Sequence, residues 1–183
     1  MNVYLLLYNG FVEFEIAPLL LLLKNKTSIH TFSVDERIVT SLCGLRVEAD
    51  ALLADIEPSD VDLLVIPGGE PRIYKDRYDI KEFLQMVNMN KRPIAAICGG
   101  PEFLAQAGLL NGLRIAHGHD PEYAAQVFKD SIITEEDVIV EGNIITARGQ
   151  AYVEFAVEIG RHTGLFENEQ EAQETESWFK NNS

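Results

Sequence analysis

Short apolar segments alternate along the chain with segments whose apolar positions recur at helical spacing. Runs of small or branched apolar side chains bounded by turn residues are typical of buried strands. The predicted strands are residues 2–7, 27–34, 62–66, 94–97 and 113–116. The predicted helices are 11–24, 76–89, 101–108, 121–128 and 151–163, and two further pairs, 38–42 with 46–48 and 138–140 with 143–146, predict hairpins. Pro18 either kinks the first helix or marks its true beginning.

Strands that alternate with helices predict a mostly parallel sheet with helices on both faces, which is a three-layer, doubly wound α/β sandwich. In sheets of this kind, ligands bind at the carboxyl ends of the strands. Three predicted strand ends carry glycine, namely Asn9-Gly10, Pro67-Gly68-Gly69 and Cys98-Gly99-Gly100. We therefore expect a functional site where these three ends meet.

The last of these ends has the pattern of a nucleophile elbow, with Cys98 as the side chain at the turn. Such a turn lifts the side chain clear of the sheet, and the amides that begin the following helix favour a thiolate. The alternative is a structural cysteine, since free cysteine is among the most buried residue types. The amides of Gly68, Gly69 and Gly99 could line an oxyanion site beside the sulfur, although Pro-Gly also forms plain tight turns.

Two carboxyl groups are candidates to assist the thiol. Glu15 follows the Gly10 turn and could hold or relay a proton for Cys98, provided that burial raises the pKa of its carboxyl group. Glu13 competes for that role. The alternative for either residue is a solvent-facing acid in the first turn of a helix, where the helix dipole favours negative charge.

Histidine is a common partner of a thiol nucleophile. His117 and His119 close the predicted strand 113–116 and could reach the same crevice, or they could lie on a surface loop. No third ligand suggests itself, so we expect no metal site. Cys43 lies beside a glycine in a predicted turn and is expected to be structural, because two cysteines 55 positions apart make neither a disulfide framework nor a metal knuckle.

The formal net charge of −14 argues against nucleic acid or an anionic membrane as a partner. The leucine run at 19–23 is far shorter than the roughly 20 apolar residues that span a bilayer. A length of 183 residues predicts one domain over 1–183, in which 167–183 form an acidic C-terminal helix or tail. The few cysteines favour a reducing, cytoplasmic setting.

Four segments together resemble the ThiJ/PfpI superfamily, whose members share the class I glutamine amidotransferase-like, flavodoxin-type fold. They are 10–15 (GFVEFE), 65–69 (VIPGG), 95–101 (AAICGGP) and 144–149 (IITARG). The resemblance runs from the first strand to about residue 166. It implies a flavodoxin-like sheet that carries a cysteine elbow.

The resemblance also implies roles for individual residues. Cys98 matches the reactive cysteine of the family, and Glu15 matches a glutamate whose protonated carboxyl group hydrogen-bonds the sulfur. Gly69 and Gly99 match the backbone oxyanion donors, and His117 falls near a histidine that some members place beside the cysteine. The family is usually dimeric, so a homodimer is expected, and its glyoxalases act without a cofactor.

Two departures from the family narrow the expected activity. Protease-like members carry histidine directly after the cysteine, where this chain has Gly99, and residues 149–155 lack the histidine of true glutaminases. A protease or amidase triad is therefore not expected. The sequence predicts an enzyme that acts on a small molecule, glyoxalase-like or hydrolase-like, with a covalent adduct at Cys98. The alternatives are a cysteine-based redox or stress-response protein, which the lack of a firmly placed histidine favours, and a non-catalytic binding or chaperone dimer.

Overall fold

A seven-stranded sheet forms the centre of the computed structural model, which describes residues 1–181. The strands of the chain are β1 (Asn2–Leu7), β2 (Ser28–Ser33), β3 (Ile38–Thr40), β4 (Arg46–Glu48), β5 (Ala51–Leu52), β6 (Leu63–Ile66), β7 (Ile94–Ile97), β8 (Arg114–Ile115), β9 (Ile132–Ile133), β10 (Val138–Glu141) and β11 (Ile144–Ala147). The order in the central sheet is β10-β11-β7-β6-β1-β2-β5. Neighbouring strands are parallel except β10 and β11, which form an antiparallel hairpin.

Helices flank this sheet. They are α1 (Ala17–Leu23), α2 (Tyr78–Met89), α3 (Pro101–Gln106), α4 (Pro121–Val127), α5 (Tyr152–Thr163) and α6 (Glu169–Lys180). Helix α5 packs against α1 and α6, whereas α2 packs against α3. Strands β6, β7 and β11 are buried along their whole length, as expected of central strands covered by helices on both faces.

The predicted α/β sandwich is confirmed, and most predicted elements occur with ends shifted by a few residues. The first helix is the main difference: it covers Ala17–Leu23, with Pro18 in its first turn, so the proline marks its beginning and does not kink it. The short strands β5 and β9 were not predicted, because two-residue strands carry no readable alternation. The predicted acidic C-terminal segment contains α6, and its last two residues, Asn182 and Ser183, lie outside the described residues.

The carboxyl ends of β1, β6 and β7 lie side by side, because β6 pairs with both of the other strands. This brings together the three glycine-bearing turns that follow Leu7, Ile66 and Ile97. The residues after each of these turns form the candidate site.

Candidate functional site

Cys98 occupies a sharp turn between β7 and α3 with a positive φ of 60°. This left-handed conformation costs a residue with a side chain about 1–2 kcal/mol. Two backbone hydrogen bonds hold it: the Cys98 N–H donates to Ala147 at 2.8 Å, and the Gly118 N–H donates to the Cys98 carbonyl at 2.7 Å. The strain at Cys98 is therefore stabilised from two neighbouring segments, as is common where a side chain must be presented at a site.

Glu15 lies at the same point, just before α1, and only 2% of it is exposed. Its Oε2 accepts a 2.8 Å hydrogen bond from the Gly68 N–H, and the carboxyl group is hydrogen-bonded to the Cys98 thiol. Burial raises the pKa of Glu15, as the sequence analysis required of a proton carrier. The Gly68 amide thus positions the carboxyl group and is not free to bind an oxyanion, which corrects the role expected for Gly68.

The second carboxyl candidate, Glu13, points to a different part of the molecule. Its side chain faces Ser41 and Cys43 in the turn of the β3–β4 hairpin, where its own backbone amide and the polar groups of this turn lower the pKa of its carboxyl group, and its Oε2 has no hydrogen-bond partner within the described residues. Cys43 is exposed, and Glu13 raises the pKa of its thiol. Of the two acids that the sequence left open, Glu15 is the one in contact with Cys98.

The environment of Cys98 raises the pKa of its thiol to about 12. Burial is the largest cause, followed by the negative charge of Glu15 and by the hydrogen bond to its carboxylate. The Gly99 N–H donates to the sulfur and lowers the pKa, which is the amide effect that the elbow pattern predicted. Burial outweighs that effect, so the thiol form is favoured while Glu15 is ionised.

Main-chain atoms press closely on the sulfur from two loops. A Cβ added at Gly118 would lie 2.5 Å from Sγ of Cys98, and one added at Gly149 would lie 2.9 Å from it. A Cβ at Gly68 would lie 2.3 Å from Oε2 of Glu15. These positions accept no larger residue without movement. The tight fit at Gly118 and Gly149 was not predicted, because nothing in the sequence tells such glycines from ordinary loop glycines.

Gly69 and Gly99 lie together on another side of the elbow. Gly69 has a φ of 136°, and a Cβ there would lie 2.2 Å from the carbonyl oxygen of Gly10. A Cβ at Gly99 would lie 2.6 Å from the Gly69 carbonyl oxygen and 3.5 Å from Cε1 of His119. Their oxyanion role stays a prediction, and the structure adds His119 as their neighbour.

His117 and His119 follow β8 and line a cavity of about 330 Å³ together with Gly118, Arg148 and Gln150. The His117 ring stacks on Phe128 with centroids 5.0 Å apart, and its Nδ1 accepts a 3.1 Å hydrogen bond from the His119 N–H. Burial lowers the pKa of His117 and favours the neutral imidazole. Among the residues described, neither histidine hydrogen-bonds the Cys98 sulfur, so the catalytic role of His117 stays a prediction.

His119 has a partner that the sequence analysis did not single out. Its Nε2 lies 3.0 Å from Oε2 of Glu102, and both side chains are almost fully buried. Glu102 comes from the first turn of α3, directly after the elbow. Only its position four residues after Cys98 could have drawn attention to it.

Within residues 1–181, no cluster of three or more histidine, cysteine or carboxylate side chains has the arrangement of a metal site. Over the same range, no helix is both long enough and apolar enough to cross a membrane.

Comparison with known proteins shows similarity over most of the chain. A family model described as the DJ-1/PfpI family matches residues 1–162. A Bacillus subtilis protein named an uncharacterized protease, YdeA, is 34% identical over 135 residues, which cover 70% of this chain and 64% of that protein, less than two thirds of its length. Deglycase TK1284 of Thermococcus kodakarensis is 27% identical over 154 residues, covering 81% of this chain and 90% of that protein. The crystal structure of the DJ-1 superfamily protein Atu0886 from Agrobacterium tumefaciens has a TM-score of 0.84 and 25% identity, with 100% of both chains covered.

Proposed function

Because the chain belongs to the DJ-1/PfpI family, we propose that it is a cysteine-dependent enzyme acting on small reactive carbonyl compounds, with Cys98 as the nucleophile. The observation that carries this proposal is the pairing of the half-buried Cys98 with the buried Glu15, in which a strained elbow brings a thiol into hydrogen-bond contact with a carboxyl group of raised pKa. An enzymatic nucleophile usually lies within hydrogen-bond reach of a general base, and the pKa values of both groups are shifted by their surroundings.

The pair suits a 2-oxoaldehyde as substrate. The thiol adds to the aldehyde carbon, a carbon–sulfur bond forms, and the thiol proton passes through Glu15 to the aldehyde oxygen, which gives a hemithioacetal. The Glu15 carboxylate then takes the proton from the former aldehyde carbon and returns it to the neighbouring carbon. The hydroxyl proton passes from the first oxygen to the second, so that an enediol and then a thioester form. Water cleaves the thioester, which releases a 2-hydroxy acid and restores the thiol.

The surroundings of the pair support a small substrate. Gly118 contacts the sulfur and also lines the cavity of about 330 Å³, which is near the lower limit for small-molecule sites. Gly69 offers a backbone amide at the edge of the elbow for the oxygen on which charge develops, and the Gly99 N–H, which donates to the thiol sulfur in the free protein, can turn to that oxygen once the sulfur is bonded to the substrate. The relatives are named as a deglycase and as a protease. Attack by a thiol on a carbonyl carbon is compatible with both names.

The redox alternative has less support from the site. Peroxide reacts with the thiolate, and a thiol whose pKa is raised to about 12 is mostly protonated at neutral pH. A carbonyl substrate escapes this limitation, because the thiol can lose its proton to Glu15 as it adds to the substrate.

The proposal is tested by following the loss of phenylglyoxal and the appearance of the hydroxy acid. We expect turnover by the wild-type protein, none by Cys98→Ser, and unchanged turnover by Cys43→Ser, which removes the exposed second cysteine as a matched control. Intact-mass spectrometry should detect the substrate adduct on Cys98. Turnover that survives Cys98→Ser would refute the proposal. A wild-type protein without turnover or adduct would leave the redox and binding alternatives.

A further inference from the structure

The Glu102 carboxyl group lies behind the elbow with only 2% of the residue exposed. Its Oε1 accepts hydrogen bonds from the Tyr123 hydroxyl at 2.9 Å and from Nε2 of Gln106 at 3.0 Å. Burying a carboxylate is costly unless its oxygens have partners. The hydrogen-bonding capacity of Oε1 is thus satisfied by two donors.

The second oxygen, Oε2, lies 3.0 Å from Nε2 of His119. The two atoms are in contact, but the ring N–H does not point along the line between them as in a hydrogen bond, and neither atom has a hydrogen-bond partner within the described residues. Each is therefore the nearest polar neighbour available to the other. Nε2 of His119 faces Glu102, which leaves Nδ1 as the ring nitrogen that can serve a ligand.

Aromatic contacts hold the imidazole ring in this position. The Tyr123 ring meets the His119 ring edge-on, with centroids 5.0 Å apart, and the Arg72 guanidinium covers the Tyr123 ring at 3.7 Å. His119 lines the cavity beside Arg148 and also a smaller one, of about 230 Å³, that Gly69 lines. The imidazole thus lines the cavities on the side of the elbow where the Gly69 and Gly99 backbones lie.

Glu15 and His119 therefore approach the elbow among different neighbours. Glu15 packs with Gly68 and Gly149, whereas Cε1 of His119 lies beside Gly99. An isomerisation that moves a hydrogen between two carbons also needs a proton moved between their two oxygens. Glu15 can move the hydrogen between the two carbons. A second group, on the side of the elbow where Gly69 and Gly99 lie, is required to move the proton between the two oxygens.

We propose that Glu102 is a positioning residue that holds His119 with Nε2 toward its carboxylate and Nδ1 toward the substrate, so that His119 is a second catalytic residue of the Cys98 site. The inference rests on the proposed function. The carboxylate–histidine pair connects the first turn of α3 to the loop that follows β8.

The proton steps balance without any further reactant when the cycle begins with His119 protonated on both ring nitrogens. As Glu15 takes the proton from the carbon bonded to sulfur, the electron pair moves to the neighbouring carbonyl, and His119 gives its Nδ1 proton to that oxygen to form the enediol. His119 is then neutral, with its remaining proton on Nε2 facing Glu102. As Glu15 delivers its proton to the second carbon, the hydroxyl next to sulfur returns a proton to Nδ1 and the thioester forms. Both residues end in the state in which they began.

The test measures kcat and KM for phenylglyoxal in the wild type, Glu102→Gln, His119→Ala and the double variant. We expect His119→Ala to lower kcat by about 10²–10⁴, the usual range for a general acid–base residue. Glu102→Gln should lower kcat by about 10-fold or more with KM changed less than about twofold, because the interaction acts on the reaction step and not on substrate binding. The double variant should be no slower than His119→Ala, since a positioning residue has no effect once its target is gone. Glu122→Gln and His162→Ala, which change the same residue types at exposed positions of α4 and α5, serve as controls and should keep wild-type rates.

A second measurement does not need turnover. Nitrogen NMR of the His119 ring, recorded at a pH high enough to remove one of its two protons, should show the remaining proton on Nε2, with the Nδ1–H form increased in Glu102→Gln. Normal turnover by His119→Ala and Glu102→Gln, alongside an inactive Cys98→Ser, would overturn this inference and leave the proposed function standing. A wild-type ring protonated mainly on Nδ1 would overturn it as well. A wild type without turnover, but with the Nε2–H signal, would refute the proposed function and leave the Glu102–His119 pairing in place.

Discussion

Replacing Glu15 by glutamine should make the Cys98 thiol more reactive toward a simple alkylating reagent, although it removes the proposed base. The pKa of Cys98 rises from an ordinary 9.0 to about 12, through burial first and then through the charge and the hydrogen bond of Glu15. That rise corresponds to about 4 kcal/mol in favour of the protonated thiol, at 1.36 kcal/mol for each pKa unit. Glutamine has nearly the same shape, so burial stays and only the two contributions of Glu15 are lost.

The expected increase in reactivity follows from the loss of the Glu15 charge. A charge in contact with a titratable group shifts its pKa by about one unit or more, so removal of the carboxylate should lower the pKa of Cys98 by about one unit, which is about 1.4 kcal/mol and a tenfold increase in thiolate at neutral pH. The amide oxygen of glutamine can still accept the Gly68 N–H, and its NH₂ group can donate to the sulfur, which favours the thiolate further. We therefore expect iodoacetamide to alkylate Cys98 about tenfold faster at pH 7 in Glu15→Gln than in the wild type.

Mass spectrometry of the digested protein reads both cysteines in one experiment. Cys43, which is exposed and paired with Glu13, should react at the same rate in both proteins and serves as the internal control. An unchanged or slower rate at Cys98, with an unchanged rate at Cys43, would refute the reasoning. It would mean that the wild-type carboxyl group is already protonated and stabilises the thiolate.

Two further predictions concern stability. Burial raises the folded-state pKa of Glu15 above its unfolded value, so the carboxylate destabilises the fold at neutral pH, and this cost disappears as the pH falls below the unfolded pKa of about 4.3. Glu15→Gln should therefore raise the Tm at pH 7 more than at pH 4, as measured by thermal melting; an equal gain at both pH values would contradict this. Gly118→Ala places a Cβ 2.5 Å from Sγ and 2.9 Å from Cα of Cys98, and urea unfolding should show a loss of about 1–3 kcal/mol from overpacking, with slower alkylation of Cys98. A variant as stable and as reactive as the wild type would contradict this prediction and show that the loop around Gly118 moves to accommodate the added methyl group.

The mostly parallel α/β architecture and the position of Cys98 at a strand-to-helix turn could be predicted because they depend on local signals. The buried runs at 63–66 and 94–97 are each followed within two residues by a pair of glycines, and parallel strands bring their carboxyl ends to one edge. The choice of Glu15 over Glu13 could not be made from spacing alone. Both residues precede α1, and the direction of each side chain depends on the irregular segment before Ala17.

The remainder of the site depends on long-range packing. Gly149 follows β11 and Gly118 follows β8, and their contact with Cys98 requires the whole sheet and the loop after β8 to be in place. The pairing of Glu102 with His119 likewise joins residues on two elements whose relative position no local pattern encodes. The expected homodimer depends on a second chain and stays a prediction, which sedimentation in solution can test.

The glycines around the sulfur have a consequence for redesigning this protein. The atoms that face Sγ from Gly118 and Gly149 belong to the main chain, and a side chain at either position would collide with the sulfur itself. Libraries that diversify these two positions should therefore yield mostly inactive or poorly folded variants and few new preferences. Under the proposed function, variation in substrate choice would have to come from side chains one layer farther out, such as Thr134, Arg148 and Gln150 on the cavity wall. An engineer who wants a different substrate should randomise those three positions first and keep the inner ring of glycines fixed.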